Sequence, residues 1–481
     1  MTWPEALLLG ATALLLLALC LPARVRRPAV VSGMSLVALC AAAGLLTEIP
    51  AGFPTGLPTG LPAGPRWQWL PIAAGALLAL ALGALRLRGP RPDRRRGPRA
   101  TAFTLALLAC LSSAGLGGLA AWAVPVPAFP EPSGPHPVGV VTVQWEDPDR
   151  EETWTDDPAD HRVVVARVWY PASPDATGEP ALYLGRDAAE ADTVAAGLAA
   201  GFGVPPLVLS DAAAARAHAL TDAPPAAGPH PVVLFSPGLG GVRTQNTVWA
   251  EGLASHGHIV VALDHPYDSA VVVLDDGTEV RGALKATGDP LEDDLLAREW
   301  ADIRAADLDL ALVRLLEADG GPLAGLADPD RVAVAGHSLG GAAALLAAAD
   351  DPRYKAVINL DGLPRLSEDS SLPQPLLALV ADSGTGSAEG DTRYALALDA
   401  AFAASDEPGY ALTVPGTAHL GFSDSPFLLP PFPSLVGSLG REETARITEA
   451  ACLAFLDASL NNAGTDVAAV LTELGEVTPM P

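Results

Sequence analysis

Gly336-His337-Ser338-Leu339-Gly340-Gly341 sets a serine inside a G-x-S-x-G motif. The motif alone recurs by chance, but here the β-rich run Val332-Ala333-Val334-Ala335 leads into it and an Ala/Leu-rich segment follows. Strand, sharp turn and helix in that order make a nucleophile elbow, in which the turn holds the serine oxygen out at the carboxyl end of the sheet. Small residues at 336 and 340 let strand and helix approach without Cβ clashes. The helix N-terminus favours negative charge developing beside it. His337 points away from the nucleophile and reads as a packing residue.

A serine needs a base to take its proton. Nine His occur, and only His419 follows Ser338 in the chain. It lies in Thr413-Val414-Pro415-Gly416-Thr417-Ala418-His419, a loop after an expected strand, in the Ser…Asp/Glu…His order of this chemistry. A third group must orient the imidazole and stabilise its charged form. Asp361 and Asp382 compete for this role, since each ends an expected strand. Either can instead form a turn, before Gly362 or before Ser383-Gly384, and the pattern does not choose between them. The developing oxyanion needs two preset N–H donors. One is the amide of Leu339; the other comes from the loop Pro237-Gly238-Leu239-Gly240-Gly241. That loop lacks the Lys of a P-loop and the spacing of a dinucleotide fingerprint.

The elements that must position these residues alternate. Val138–Trp145 and Arg162–Tyr170 read as an opening hairpin. Strands are expected at Pro231–Ser236, His258–Asp264, Arg331–Ala335, Ala356–Leu360, Pro375–Val380 and Ala411–Val414. Helices are expected at Thr244–His256, Leu291–Asp319, Gly340–Ala349, Thr392–Ala404 and Glu442–Leu460, with a small hairpin over Ala270–Val280. Leu291–Asp319 is amphipathic, its charged residues opposite Leu, Ile and Val. Ala181–Ala223 reads as an insertion packing over one side of the sheet. Strands alternating with helices imply a mostly parallel sheet covered on both faces, the α/β-hydrolase fold, over residues 138–481.

Residues 1–124 are of another kind. Four uncharged apolar stretches, Ala6–Pro22, Ala29–Leu46, Trp69–Leu85 and Ala102–Val124, each approach the length of a transmembrane helix. They predict an all-α membrane region of four spans, joined to the soluble domain by a Pro-rich linker over 125–137. The connection after the first span carries Arg24, Arg26 and Arg27; the one after the third carries Arg86, Arg88, Arg91, Arg94, Arg95, Arg96 and Arg99. The second has only Arg66, beside Glu48. The positive-inside rule puts the first and third connections in the cytoplasm and the acidic domain outside. The second connection includes a Gly/Pro-rich tract, 52–64, read as an irregular surface connector.

Charge divides the chain at the same place. Residues 1–124 hold eleven Arg and three acidic residues, and the remainder holds 18 basic and 53 acidic ones. The acidic part repels nucleic acid, since phosphate binding needs clustered Lys and Arg. Of four Cys only Cys452 lies beyond the apolar region, so the soluble part forms no internal disulfide. No metal-ligand spacing appears, and no cofactor is expected.

With these pieces assembled, residues 134–460 resemble the secreted and intracellular type II platelet-activating factor acetylhydrolases. The likeness rests on Gly134-Pro135-His136-Pro137-Val138-Gly139, Phe235-Ser236-Pro237-Gly238-Leu239-Gly240 with Arg243-Thr244, Leu253-Ala254-Ser255-His256-Gly257, Gly336-His337-Ser338, Asp361, and Gly416-Thr417-Ala418-His419 leading to Phe422-Ser423-Asp424. The resemblance implies a triad of Ser338, Asp361 and His419, favours Asp361 over Asp382, and implies oxyanion donation from Leu239 and Leu339. It implies calcium-independent hydrolysis of phospholipids with short or oxidised sn-2 chains, or of other short esters. Gly362-Leu363-Pro364 lacks the aromatic character expected after the acid, and the four spans are no part of the family pattern. The expected function is a membrane-anchored serine ester hydrolase. Acyl transfer to an envelope alcohol and a catalytically inactive binding module are the alternatives.

Overall fold

A strand that is apolar along its whole length must be covered on both faces. Six strands with apolar, largely buried inner stretches form the centre of the sheet in the computed structural model, which describes residues 2–47, 66–88, 96–124, 126–283, 287–318, 321–367, 369–405, 407–461 and 463–480. The strands, in chain order, are β1 (Val138–Glu151), β2 (His161–Pro171), β3 (Pro180–Leu182), β4 (Arg216–Thr221), β5 (His230–Ser236), β6 (Ile259–Asp264), β7 (Val271–Val273), β8 (Glu279–Arg281), β9 (Ala327–His337), β10 (Tyr354–Leu360), β11 (Leu376–Ala381), β12 (Gly409–Val414) and β13 (Glu476–Met480).

Among the described residues eleven of them make one sheet, in the order β13-β12-β11-β10-β9-β5-β6-β2-β1-β4-β3. From β6 to β12 every neighbour is parallel. β2 meets β6 antiparallel, and β1 and β2 form the opening hairpin. Parallel strands require crossovers, and the helices that make them supply the two covering layers. Pro290–Leu316, Leu339–Asp350 and Ala388–Ala403 cover one face, packing Leu308, Leu312, Leu345 and Phe402 against Val232, Val332 and Leu376. Thr247–Ser255, Arg441–Leu460 and Val467–Leu474 cover the other, packing Trp249, Phe455 and Leu471 against Phe235, Ile358 and Leu412. β7 and β8 are the small separate hairpin.

Two segments depart from the sequence expectation. The Ala-rich stretch 181–223 does not simply lie over the sheet, since β3 and β4 extend its edge, β4 running parallel to β1. Arg216–Thr221 alternates between exposed and buried residues, but Ala at the inward positions hides the pattern. Glu476–Met480, not expected as a strand, closes the other edge antiparallel to β12. The charges on Pro290–Leu316 also differ from a solvated face. Arg304 and Asp307 are fully buried, and Asp307 accepts from Arg162 at 2.7 Å and pairs with Arg150.

The chain folds as two compact units, residues 1–127 with 428–430, and residues 128–427 with 431–481. In the first, four helices, Trp3–Cys20, Ala23–Thr47, Trp69–Leu87 and Arg96–Ala123, each contain a stretch long and apolar enough to cross a membrane. Leu8, Leu15, Ile72 and Ala79 face one another, while Leu14, Leu17, Leu70, Leu77 and Leu116 face outward. Small residues set the helix spacing, as in membrane bundles: a Cβ at Gly117 would stand 2.6 Å from Ile72. Glu5 lies in the first turn of the first helix, paired with Arg66 at 2.8 Å, and Arg66 also donates to the Val124 carbonyl. The tract 52–64 and the Arg-rich residues 89–95 lie outside the described residues.

The elbow exists because side chains are missing from it. A Cβ at Gly336 would sit 2.0 Å from the Gly340 carbonyl oxygen, and one at Gly340 would sit 2.0 Å from the Ser236 carbonyl oxygen. Both neighbours are backbone and cannot swing aside. Gly340→Ala is therefore expected to lower stability by about 3 kcal/mol or more, the upper range for an overpacked interior. A thermal or urea melt of the purified protein beside wild type checks this.

Candidate active site

β9 ends at His337, and the helix Leu339–Asp350 begins one residue later. The chain reverses at Ser338, whose φ of 57° and ψ of −122° lie outside the regions a non-glycine residue ordinarily occupies. Its amide donates to the Leu360 carbonyl at 3.0 Å, and its carbonyl accepts from Gly341 and Ala342. Those bonds hold a strained residue in place, as is common where a side chain must be aimed.

The register of the sheet then brings the next group. β10 lies beside β9 with Leu360 opposite His337, so the residue after Leu360 emerges next to the elbow. That residue is Asp361, itself at φ 54°. Asn359 clamps the turn, its amide group donating to the Gly362 carbonyl at 2.8 Å and accepting from the Gly362 N–H at 2.9 Å. One oxygen of Asp361 accepts from the Ala381 amide at 2.9 Å, and the other faces His419 Nδ1 at 2.7 Å. His419 Nε2 stands 2.9 Å from Ser338 Oγ. Serine, imidazole and carboxylate thus form one hydrogen-bonded line. Asp382 is brought elsewhere. Exposed at the end of β11, it accepts from the Gly416 amide at 2.9 Å and steadies the loop that carries His419.

The loop after β5 presses against the elbow, for a Cβ at Gly238 would be 3.4 Å from Ser338 Cβ. It turns tightly, the Gly241 amide donating to the Gly238 carbonyl at 2.9 Å and Gly240 taking a φ of 66°. The amides of Leu239 and Leu339 have no acceptor among the described residues. Leu239 is 55% exposed, and its N–H follows directly on the Gly238 carbonyl that the turn holds. An oxyanion held by two such amides, with a serine and its base in line, is the arrangement that acyl transfer requires. Among the described residues no group of three or more His, Cys, Asp or Glu side chains could hold a metal ion.

His337 does more than pack. Its Nε2 lies 2.9 Å from the His419 carbonyl, and its Nδ1 lies 3.0 Å from the Gln245 side-chain nitrogen. Gln245 in turn accepts from the Gly238 amide at 3.1 Å. With Gln245 donating to Nδ1, the Nε2–H donates to His419, which makes His337 neutral. Burial, reinforced by the neighbouring His419, pushes its pKa down to about 3. Gln245 and Asn359 carried no signal in the sequence, because an amide on a loop or a strand end resembles any surface polar residue. Asp424, at the end of the His419 loop, accepts from the amides of Thr247 and Val248 and ties that loop to the helix Thr247–Ser255.

The family model of platelet-activating factor acetylhydrolase, isoform II, matches residues 124–283 and 320–469. A probable 1-alkyl-2-acetylglycerophosphocholine esterase of Arthroderma benhamiae is 32% identical over 132 residues, 27% of this chain and 31% of that protein. The platelet-activating factor acetylhydrolase of Canis lupus familiaris is 31% identical over 172 residues, 31% of this chain and 39% of that protein. These matches span well under two thirds of the relatives' own length. A solved ferulic acid esterase from Streptomyces cinnamoneus superposes with a TM-score of 0.59 at 28% identity, over 74% of this chain and 100% of that one.

Because His337 is neutral when folded but takes a proton near pH 6.5 when unfolded, the unfolded chain binds one more proton between those two values. Stability is then full above pH 6.5 and falls as pH drops toward about 3, by up to about 1.4 kcal/mol per unit from this residue. The wild-type melting temperature should therefore fall more steeply from pH 6.5 to 4.5 than that of His337→Gln. Parallel slopes would contradict a neutral, buried His337.

Proposed function

The chain belongs to the platelet-activating factor acetylhydrolase, isoform II, family, and from that premise we propose that it is a membrane-anchored serine hydrolase of carboxylic esters. The substrates are short or oxidised acyl esters, including phospholipid sn-2 esters. The observation that carries the reading is the line Ser338 Oγ, His419 Nε2, His419 Nδ1, Asp361, with separations of 2.9 Å and 2.7 Å.

In the reaction, Ser338 Oγ attacks the ester carbonyl while His419 Nε2 takes the hydroxyl proton. Asp361 holds Nδ1–H and stabilises the imidazolium. The carbonyl oxygen becomes an oxyanion received by the Leu239 and Leu339 amides. Collapse expels the alcohol, which takes the proton from His419 and leaves an acyl-serine. Water then attacks with its proton passing to His419, and the acid leaves as Ser338 regains its hydrogen.

The anchor is the four-helix unit, with Arg24, Arg26 and Arg27, in the first turns of the second helix, and Arg86 and Arg88, at the end of the third, on the cytoplasmic side and the hydrolase domain outside. Outward-facing Leu along each helix supports a lipid environment, since so large an apolar surface is unfavourable in water.

Two measurements test this. With p-nitrophenyl butyrate, Ser338→Ala should lose turnover by on the order of 10⁴-fold or more and Asp361→Asn by about 10⁴-fold, while Asp382→Asn stays near wild type; activity that survives Ser338→Ala sinks the reading. In cells carrying a version without native Cys, a single cysteine at exposed Ala200 should react with an impermeant thiol reagent before lysis. Labelling only after lysis reverses the orientation.

A further inference from the structure

We propose that Arg304, buried in the helix Pro290–Leu316, is a positioning residue that aims the Leu239 N–H at the reacting oxygen. The proposal rests on the serine-hydrolase reading above and deepens it.

A trans peptide points its C=O and N–H in opposite directions, so whatever holds the carbonyl of Gly238 sets the direction of the Leu239 amide. That carbonyl accepts from Arg304 Nη2 at 3.1 Å as well as from Gly241 within the turn. The preceding carbonyl, Pro237, accepts from Arg304 Nη1. Both peptides therefore turn their oxygens down onto one guanidinium and their N–H groups up toward the elbow. The amides of this loop are then sorted by their acceptors. Gly238 donates to Gln245, Gly240 to Asp268 at 3.4 Å, and Gly241 to the turn. Leu239 alone in this loop keeps its N–H for a ligand, among the described residues.

Arg304 is itself fixed with no donor to spare. Nε and Nη2 donate to the two oxygens of Asp268 at 2.5 and 2.6 Å, and Nη1 also donates to Ser236 Oγ at 3.2 Å. Five N–H groups thus meet five acceptors. Only the planar fork of arginine matches this set; an ammonium has three donors and no fixed plane. The side chain is fully buried, so water does not compete for these bonds.

A buried relay stands behind it. Ser236 Oγ lies 2.9 Å from His265 Nε2, and His265 Nδ1 lies 2.8 Å from Asp307. His265 Nδ1–H donates to Asp307, so the neutral ring accepts at Nε2, and the Ser236 hydroxyl donates to it while accepting from Arg304. The chain repeats the order of Ser338, His419 and Asp361, yet all three members are sealed from solvent. Burial alone would raise the Asp307 carboxyl, but Arg162 and His265 hold it well below its usual range. The relay thus fixes the hydroxyl that receives Arg304 and has no access to substrate.

The test uses the full-length protein in detergent, with wild type, Arg304→Lys, Arg304→Gln, Ser236→Ala and Asp268→Asn. Each is measured for kcat and KM on p-nitrophenyl butyrate, for the affinity of a trifluoromethyl ketone whose adduct with serine carries an oxyanion, and for melting temperature. Wild-type turnover that vanishes in Ser338→Ala secures the parent reading independently; its absence would remove that reading before Arg304 is judged. Both Arg304 variants should lose about 10- to 100-fold in kcat, short of the 10²–10³ for deleting a donor outright. KM should change little, and ketone affinity should fall in step with kcat. Variants that fold yet keep wild-type kcat and ketone affinity overturn the proposal, as does a loss confined to KM. Should the Arg304 variants not fold, Ser236→Ala and Asp268→Asn loosen the guanidinium without removing it. They should then lower kcat and ketone affinity together by about 3- to 10-fold, and wild-type values in both overturn the proposal equally.

Discussion

The closeness of backbone to backbone at residues 336–341 governs the arrangement of the site. Strand β9, the following helix, the end of β5 and the turn after β10 all meet there with no Cβ between them. A Cβ at Gly341 would stand 2.0 Å from the Asn359 side-chain oxygen, and one at Gly362 would stand 2.3 Å from the Ser338 carbonyl. Four chain segments therefore converge on one residue, and three of the site's groups emerge where they meet. Ser338 comes from the turn itself, Asp361 from the turn after β10, and the Gly-rich loop from the end of β5. His419 arrives by a longer route after β12, held by Asp382 at one end of its loop and by Asp424 at the other.

Beneath this meeting point lies a layer of buried charge. Arg304 pairs with Asp268, Arg162 with Glu152 and Asp307, and Arg243 with Asp264 and Glu190. Isolated charges in such a place would be strongly unfavourable, and pairs often do little better than break even in stability. Their consequence is directional. Each guanidinium has several donors in a fixed plane, and here they end on loop carbonyls and carboxylates that must not rotate. Arg243 joins the end of β6 to the helix Ala188–Gly201 in the same manner, through Asp264 and Glu190.

The elbow was legible because its requirement is local: a sharp turn between strand and helix excludes side chains, and the glycines are adjacent in sequence. The order of strands and helices was legible for a similar reason, since parallel strands buried on both faces are apolar along their length. The choice between Asp361 and Asp382 was not, because both end strands and both precede turns. What separates them is sheet order, which puts β10 and not β11 beside β9. Arg304 was hidden for the opposite reason. On a long helix rich in Asp, Glu and Arg, one buried arginine looks like its solvated neighbours. The strands β3 and β4 were hidden by alanine, which fills an inward position in a sheet as readily as in a helix. His337 was read by its direction alone, and direction says nothing about what a side chain reaches.

Leu239 is 55% exposed, and what it offers the site is its main-chain amide. A group supplied by the main chain is present whatever amino acid occupies the position, provided the turn is kept. The leucine side chain is thus released from that role. Replacements there that keep the turn leave the amide in place, so the amino acid at this position can drift over evolutionary time while the backbone geometry stays constant.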